Sequence, residues 1–166
     1  MRLLMPVLLA LTISGAAFAE EPRVEGIDVV GKGLYKVELG ETISRPDVPG
    51  GLVAPPTKFT QIENTTTVPA RIGVEFGMEY KIIGEPAGAE VTLEFVDTFP
   101  APGLADPEKP EPMRTGRFER KRPIGETLYN GYGFESDWEL VPGTWTFEIW
   151  YEGRKLAEES FTVVAE

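Results

Sequence analysis

The chain has 166 residues, with 27 Asp or Glu against 16 Lys or Arg, a formal charge of -11, and neither His nor Cys. Without those two residue types there is no Ser-His-Asp relay, no imidazole base, no thiolate nucleophile and no ordinary zinc site, so no cofactor is expected and any catalysis falls to carboxylates, Ser, Lys and Tyr. An acidic surface of this strength repels nucleic acid and anionic lipid, and neither is expected as a partner.

Residues 1–19, MRLLMPVLLALTISGAAFA, join an early cation, Arg2, to an apolar run from Leu3 to Ile13 and a small-residue exit, Ala17-Phe18-Ala19. That is the grammar of a secretory signal helix cleaved after Ala19, which predicts a periplasmic or secreted protein. The apolar run is about half of the roughly 20 residues a bilayer crossing needs, and no later run is longer, so no membrane span is expected. Cleavage removes one cation and no carboxylate, and residues 20–166 then carry -12. A length near 150 residues predicts one domain over 20–166, able to bury about two thirds of its unfolded surface without cross-links, and a monomer is expected.

The first strand is predicted over Ile27 to Leu39, interrupted by Gly31 and Gly33, and the next over Lys58 to Val68. Between them lies Arg45 to Pro56, rich in proline and read as a stiffened surface loop. From Gly73 to Ile83 the alternation is clean: Val74, Phe76, Met78, Tyr80 and Ile82 share one face, and Glu75, Gly77, Glu79 and Lys81 the other. After Gly84 to Gly88, EVTLEFV places Val91, Leu93 and Phe95 inward, so the two segments are expected to pair as a hairpin. Pro100 to Pro112 reads as a second proline-stiffened loop. Strands follow at Arg117 to Lys121, Thr127 to Phe134 and Asp137 to Leu140.

Pro142-Gly143 then opens a strand in which Trp145, Phe147, Ile149 and Tyr151 lie on one side, and Glu152-Gly153-Arg154-Lys155 turns it into LAEESFTVV. There Phe161 and Val163 share a parity that Leu156 lacks, which predicts a bulge between Leu156 and Phe161. Short strands, frequent turn signals and no helical periodicity after the signal predict an all-β, immunoglobulin-like antiparallel sandwich, with a small β-barrel as the alternative.

Three groups of residues are candidates for contact. Arg114 to Arg122 concentrates cations against an acidic background, and Arg117, Arg120, Lys121 and Arg122 could capture a carboxylate or phosphate; a charged edge strand is the plainer reading. Trp150 breaks the polar face of its strand, and Tyr129 and Tyr132 flank Asn130-Gly131 in an expected turn, where exposed rings stack on sugars or anchor a protein. Glu135, Asp137 and Glu139 alternate with Phe134, Ser136, Trp138 and Leu140, so as a strand they would share one solvated face at a separation near that of an inverting glycosidase. Trp138 and Trp145 are expected in the core.

TTTVPARIGVEFGMEYKIIGEP (Thr65 to Pro86), FVDTFPAPGLADP (Phe95 to Pro107) and GYGFESDWELVPGTWTFEIWYEGRKLAEESFTV (Gly131 to Val163) together resemble the bacterial secreted family known as domain of unknown function 3859. The resemblance implies an extracytoplasmic, single-domain envelope protein and carries no established activity, ligand or catalytic residue. Bracketing of Phe76 by Gly73 and Gly77 reads as bare backbone against which a neighbouring ring lies close. The sequence thus points to a non-enzymatic binding or envelope-interaction module whose partner is an envelope protein or polysaccharide. The alternative is a carbohydrate-binding protein or weak carboxylate-dependent glycosidase using the surface aromatics and acids.

Overall fold

The computed structural model describes residues 21–46 and 48–165, and the expected signal helix lies outside them. Eleven strands run in chain order: β1 (Arg23–Leu39), β2 (Ile43–Ser44), β3 (Leu52–Val53), β4 (Pro56–Glu63), β5 (Thr67–Pro69), β6 (Glu75–Glu85), β7 (Glu90–Thr98), β8 (Thr115–Pro123), β9 (Thr127–Gly133), β10 (Gly143–Tyr151) and β11 (Arg154–Val164). One sheet has the order β4-β1-β6-β9 and the other β5-β11-β10-β7-β8, while β2 and β3 form a two-stranded ribbon. Every pairing is antiparallel except β5 on β11, which is parallel; one short edge strand therefore departs from the all-antiparallel expectation.

The inward residues of both sheets meet in one core. Phe76 of β6 lies within ring contact of Trp145, Phe147 and Phe161 from β10 and β11, at centroid distances of 5.7, 5.6 and 5.4 Å. Tilted and edge-on rings dominate these contacts, as the quadrupoles of aromatic rings favour. Trp145 also meets Phe99, Tyr132 and Phe134, and its indole N–H donates to the Val141 carbonyl at 2.9 Å. A fully buried Trp in this setting satisfies its one polar atom locally.

The last hairpin forms as expected, with a tighter turn, since Arg154 and Lys155 already pair with Tyr151 and Trp150. Glu152 and Gly153 both take positive φ, 48° and 75°, the turn that matches the twist of paired strands. The bulge falls at Leu156 itself, at the edge of the expected interval: Ile149 faces Ala157 and the next residue, Trp150, faces Lys155. Gly143 opens β10 with φ 131°, and a Cβ there would meet Pro100 Cβ at 2.6 Å.

Several expectations are corrected. β6 and β7 do not pair with each other: β6 lies between β1 and β9, and β7 between β10 and β8. Residues 86–89 carry the chain from one sheet to the other, so the two alternating apolar faces look at each other across the core rather than lying side by side. Residues 58–68 divide into β4 and β5, which belong to different sheets. Asp137 to Glu139 is a 3-10 turn, not a strand. The proline-stiffened segments are not wholly on the surface, since Leu104, Val48 and Pro49 are buried, and Leu104 bridges Met113.

Candidate functional site

At one lateral side of the sandwich the edge strands β8 and β9 stand in opposite sheets. The β2–β3 ribbon and the 3-10 turn at Asp137–Glu139 close over this side and leave a cavity of about 320 Å³. Side chains reach it from β6, β7, β8 and β9, and Trp138 also lines a second, more open depression with Ser44, Pro46, residues 50–52 and residues 106–109.

Alternation along β8 divides the basic stretch. Gly116, Phe118, Arg120 and Arg122 are the less exposed set, and Thr115, Arg117, Glu119 and Lys121 the exposed one. The Arg120 guanidinium stacks on the Phe118 ring at 4.6 Å and reaches Phe95 at 5.9 Å, and Arg122 also lies 5.9 Å from Phe95. Burial draws the Arg120 pKa down to about 10, with the Arg122 charge acting in the same direction, Asp97 and Tyr80 opposing, and Arg45 adding a smaller like-charge contribution.

Two buried polar side chains line the same cavity with one atom each unpaired, Asp97 from β7, the strand beside Arg120, and Asn130 from β9 in the opposite sheet. Asp97 is 5 % exposed and its Oδ1 has no partner; Asn130 is 3 % exposed and its Nδ2 has none. Burial raises the Asp97 carboxyl to about 7, against an opposing pull from Arg120. Groups of this kind are nearly always paired in folded proteins, so an unpaired acceptor and an unpaired donor in two residues that line one cavity stand out. Both had a readable signal in sequence: Asp97 shares its parity with Val91, Leu93 and Phe95, and Asn130 with Leu128 and Tyr132.

Three more carboxylates, Glu75, Glu135 and Glu139, line the cavity. Glu139 is buried and accepts hydrogen bonds from Tyr132 Oη (2.7 Å) and from the backbone N–H groups of Glu135 and Ser136 (2.6 Å each). Those bonds coil residues 137–139 instead of extending them, and the expected solvated row of Glu135, Asp137 and Glu139 does not exist: the first two are exposed and the third is internal. The spacing argument for a glycosidase pair falls with that row. Glu75 accepts from Tyr129 Oη at 3.0 Å, and burial lifts its carboxyl to about 7, the Tyr129 hydrogen bond opposing and the Glu135 charge reinforcing.

The seven candidate contact residues are thereby separated. Arg120, Tyr129 and Tyr132 line the cavity. Tyr129 is not in an exposed turn but in β9 and buried, its ring against Tyr35 and Phe59 at 4.8 and 5.6 Å. It crosses Gly77 and Gly131, where a Cβ would collide with the Tyr129 hydroxyl. The expectation for Gly77 holds on that account, whereas Gly73 has open space around it and serves a positive φ of 86°. Tyr132 is half-buried, in the same strand and tied to Glu139.

Arg122 lies beside Arg120 but outside the cavity wall. On the opposite face of its sheet, Arg117 pairs with Glu94, Lys121 is exposed, and Trp150 gives its indole N–H to Glu148 at 2.7 Å with Lys155 above its ring at 5.8 Å. Trp138 is partly buried against the core rather than central to it, whereas Trp145 is fully buried.

Two facing β-sheets with aromatic inner faces and a walled lateral cavity define an immunoglobulin-like sandwich protein. The chain is similar over 90 % of its length to an immunoglobulin-like protein from Pseudomonas aeruginosa of known crystal structure, at 27 % identity and a TM-score of 0.55, covering all of that chain. The family model described as Domain of unknown function (DUF3859) matches residues 53–163, and the chain belongs to that family. No curated protein matches it.

Proposed function

We propose that residues 20–166 form a single-domain, non-enzymatic binding module that acts in the periplasm or outside the cell after cleavage behind Ala19, and that its contact centre is the lateral cavity. The observation that carries this reading is the unpaired, buried Asp97 Oδ1 and Asn130 Nδ2 in the wall that also holds Arg120. A protein that only supported its neighbours would gain stability by filling such a site with apolar side chains, because buried polar atoms without partners are costly. The secretory grammar of residues 1–19 supports the location, and the lack of His and Cys supports binding rather than turnover.

The test is an NMR screen of the isotope-labelled protein against a panel of envelope-derived saccharides, peptides and small metabolites. Binding at the cavity moves the backbone signals of Asp97, Arg120, Asn130 and Tyr132 together. Perturbations confined to the outer face around Arg117 and Trp150 would transfer the role to that surface, and a panel without any perturbation would remove the reading.

A further inference from the structure

We propose that the lateral cavity accepts a short extended peptide as an added strand on β9, with basic side chains of that peptide directed to Glu75 and Glu135. The inference rests on the binding reading above and adds the chemistry of the occupant.

The first argument is the backbone of β9. It is an edge strand, and five consecutive residues, Tyr129 to Gly133, line the cavity. In an antiparallel pair, residues alternate between those that bond to the neighbour and those that face away. Phe134 donates its N–H to the Val74 carbonyl at 3.0 Å, and the Asn130 carbonyl lies 2.3 Å from where a Cβ on Gly77 would stand. Residues 134, 132 and 130 thus turn their backbone groups to β6, and those of Tyr129, Gly131 and Gly133 point to the free side. Among the described residues nothing bonds to them. The ribbon covers this edge, but β3 pairs with β2 alone, and the bonds donated by residues 48–51 go to Arg45, Val48 and Asp106. A cover serving only to protect the edge would pack onto it; this one leaves about 320 Å³ beside a row of unpaired backbone groups. A peptide strand carries the donors and acceptors that match such a row.

The second argument is the chemistry on the two sides that an added strand would meet. Glu75 and Tyr129 lie on the face of their sheet away from the core, and the Glu135 charge acts on Glu75. Glu135 is exposed, and among the described residues neither carboxylate is ion-paired. On the core side, Asp97 and Arg120 offset one another, and Phe118 and Tyr132 supply ring surface. Side chains alternate along a strand, so an occupant with basic residues at every second position and apolar ones between them suits both sides. Acidic side chains would stand against Glu75 and Glu135 and are turned away.

The experiment is an NMR titration of the isotope-labelled protein with a blocked hexapeptide of alternating Leu and Lys. Its controls are the same peptide with Glu for Lys, n-butylamine, and two backbone N-methylated forms, one methylated at the Lys positions and one at the Leu positions. The Lys peptide binds with 1:1 stoichiometry, moves the amide signals of Tyr129, Gly131 and Gly133, and slows their exchange with solvent. The Glu peptide binds at least about 10-fold more weakly. The two N-methylated forms differ in affinity by at least about 10-fold, because only every second N–H of a strand faces its neighbour. Glu135→Gln, at an exposed side chain, weakens the Lys peptide by about 2- to 5-fold, the scale of a partly exposed ion pair, with near-ultraviolet circular dichroism showing that the variant keeps its core.

Equal affinity for the Lys and Glu peptides, butylamine binding as tightly as the Lys peptide, equal affinity of the two N-methylated forms, or wild-type affinity in folded Glu135→Gln would each overturn the inference. So would the absence of peptide binding; if another compound in the NMR panel still moves Asp97, Arg120, Asn130 and Tyr132 together, the cavity remains a binding site and only the added strand is lost.

Discussion

Replacing Asp97 with Asn gives the most direct measure of what the cavity wall costs the fold. The Asp97 carboxyl has a pKa of about 7 in the folded protein, raised by burial from an ordinary 3.8. Because the folded state holds the proton more tightly, it binds more protons than the unfolded chain between about pH 4 and 7, and stability falls as pH rises through that window. Integrating the difference gives nothing at pH 3, about 2 kcal/mol at pH 5 and about 4 kcal/mol at pH 8.

Asn keeps the shape and removes the titration. The stability of Asp97→Asn relative to wild type is therefore expected to rise by about 4 kcal/mol between pH 3 and pH 8. At roughly 2 to 4 °C per kcal/mol for a protein of this size, the difference in Tm moves by about 8 to 16 °C. Thermal melts followed by circular dichroism at pH 3, 5 and 8 read it directly. Glu75, also raised to about 7, steepens the pH dependence of both proteins and cancels in the comparison. A difference that stays flat across this range would refute the claim that Asp97 is buried without adequate compensation.

Four further substitutions, one of them a control, probe the packing that shapes the site. Trp145→Ala removes the ring that joins Phe76, Phe99, Tyr132 and Phe134 and is expected to cost about 3 to 5 kcal/mol in urea unfolding; a loss under about 1 kcal/mol would mean the cluster is loosely packed. Gly131→Ala puts a methyl into the Tyr129 hydroxyl and the Phe76 carbonyl and is expected to destabilise by about 1 to 3 kcal/mol, whereas Gly26→Ala, with nothing within 4 Å, is expected to stay within about 1 kcal/mol of wild type. Equal effects of the two would contradict the close passage of Tyr129. Tyr132→Phe deprives the buried Glu139 of one of its three donors and should cost about 1 to 3 kcal/mol at neutral pH; an unchanged unfolding midpoint would show that the two backbone N–H groups suffice.

Much of the site was present in the sequence in a form that period-two reading can use. Phe118, Arg120 and Arg122 share a parity, as do Leu93, Phe95 and Asp97, so a charged residue standing among inward apolar neighbours was visible before any fold. What could not be read was whether it would find a partner there. Satisfaction of a buried group depends on atoms from other strands, which the alternation of one strand does not name, and Asp97 Oδ1 finds none. Tyr129 and Tyr132 went astray for the related reason that Asn130-Gly131 is turn chemistry locally, yet pairing with β6 extends it.

From its residue order alone this chain determined that it would be β-structured, that β10 and β11 would form a hairpin with a bulge near Leu156, and that Trp145 and Phe76 would be internal. Those properties are local: alternation states which side of a strand is dry, and a Glu-Gly turn links only what adjoins it. Sheet partnership, the split of the basic stretch between cavity and outer face, and the burial of Glu139 were decided by the tertiary structure. An apolar face is equally dry whether it covers a neighbour in its own sheet or confronts the opposite one, so only the assembled sandwich could choose between them.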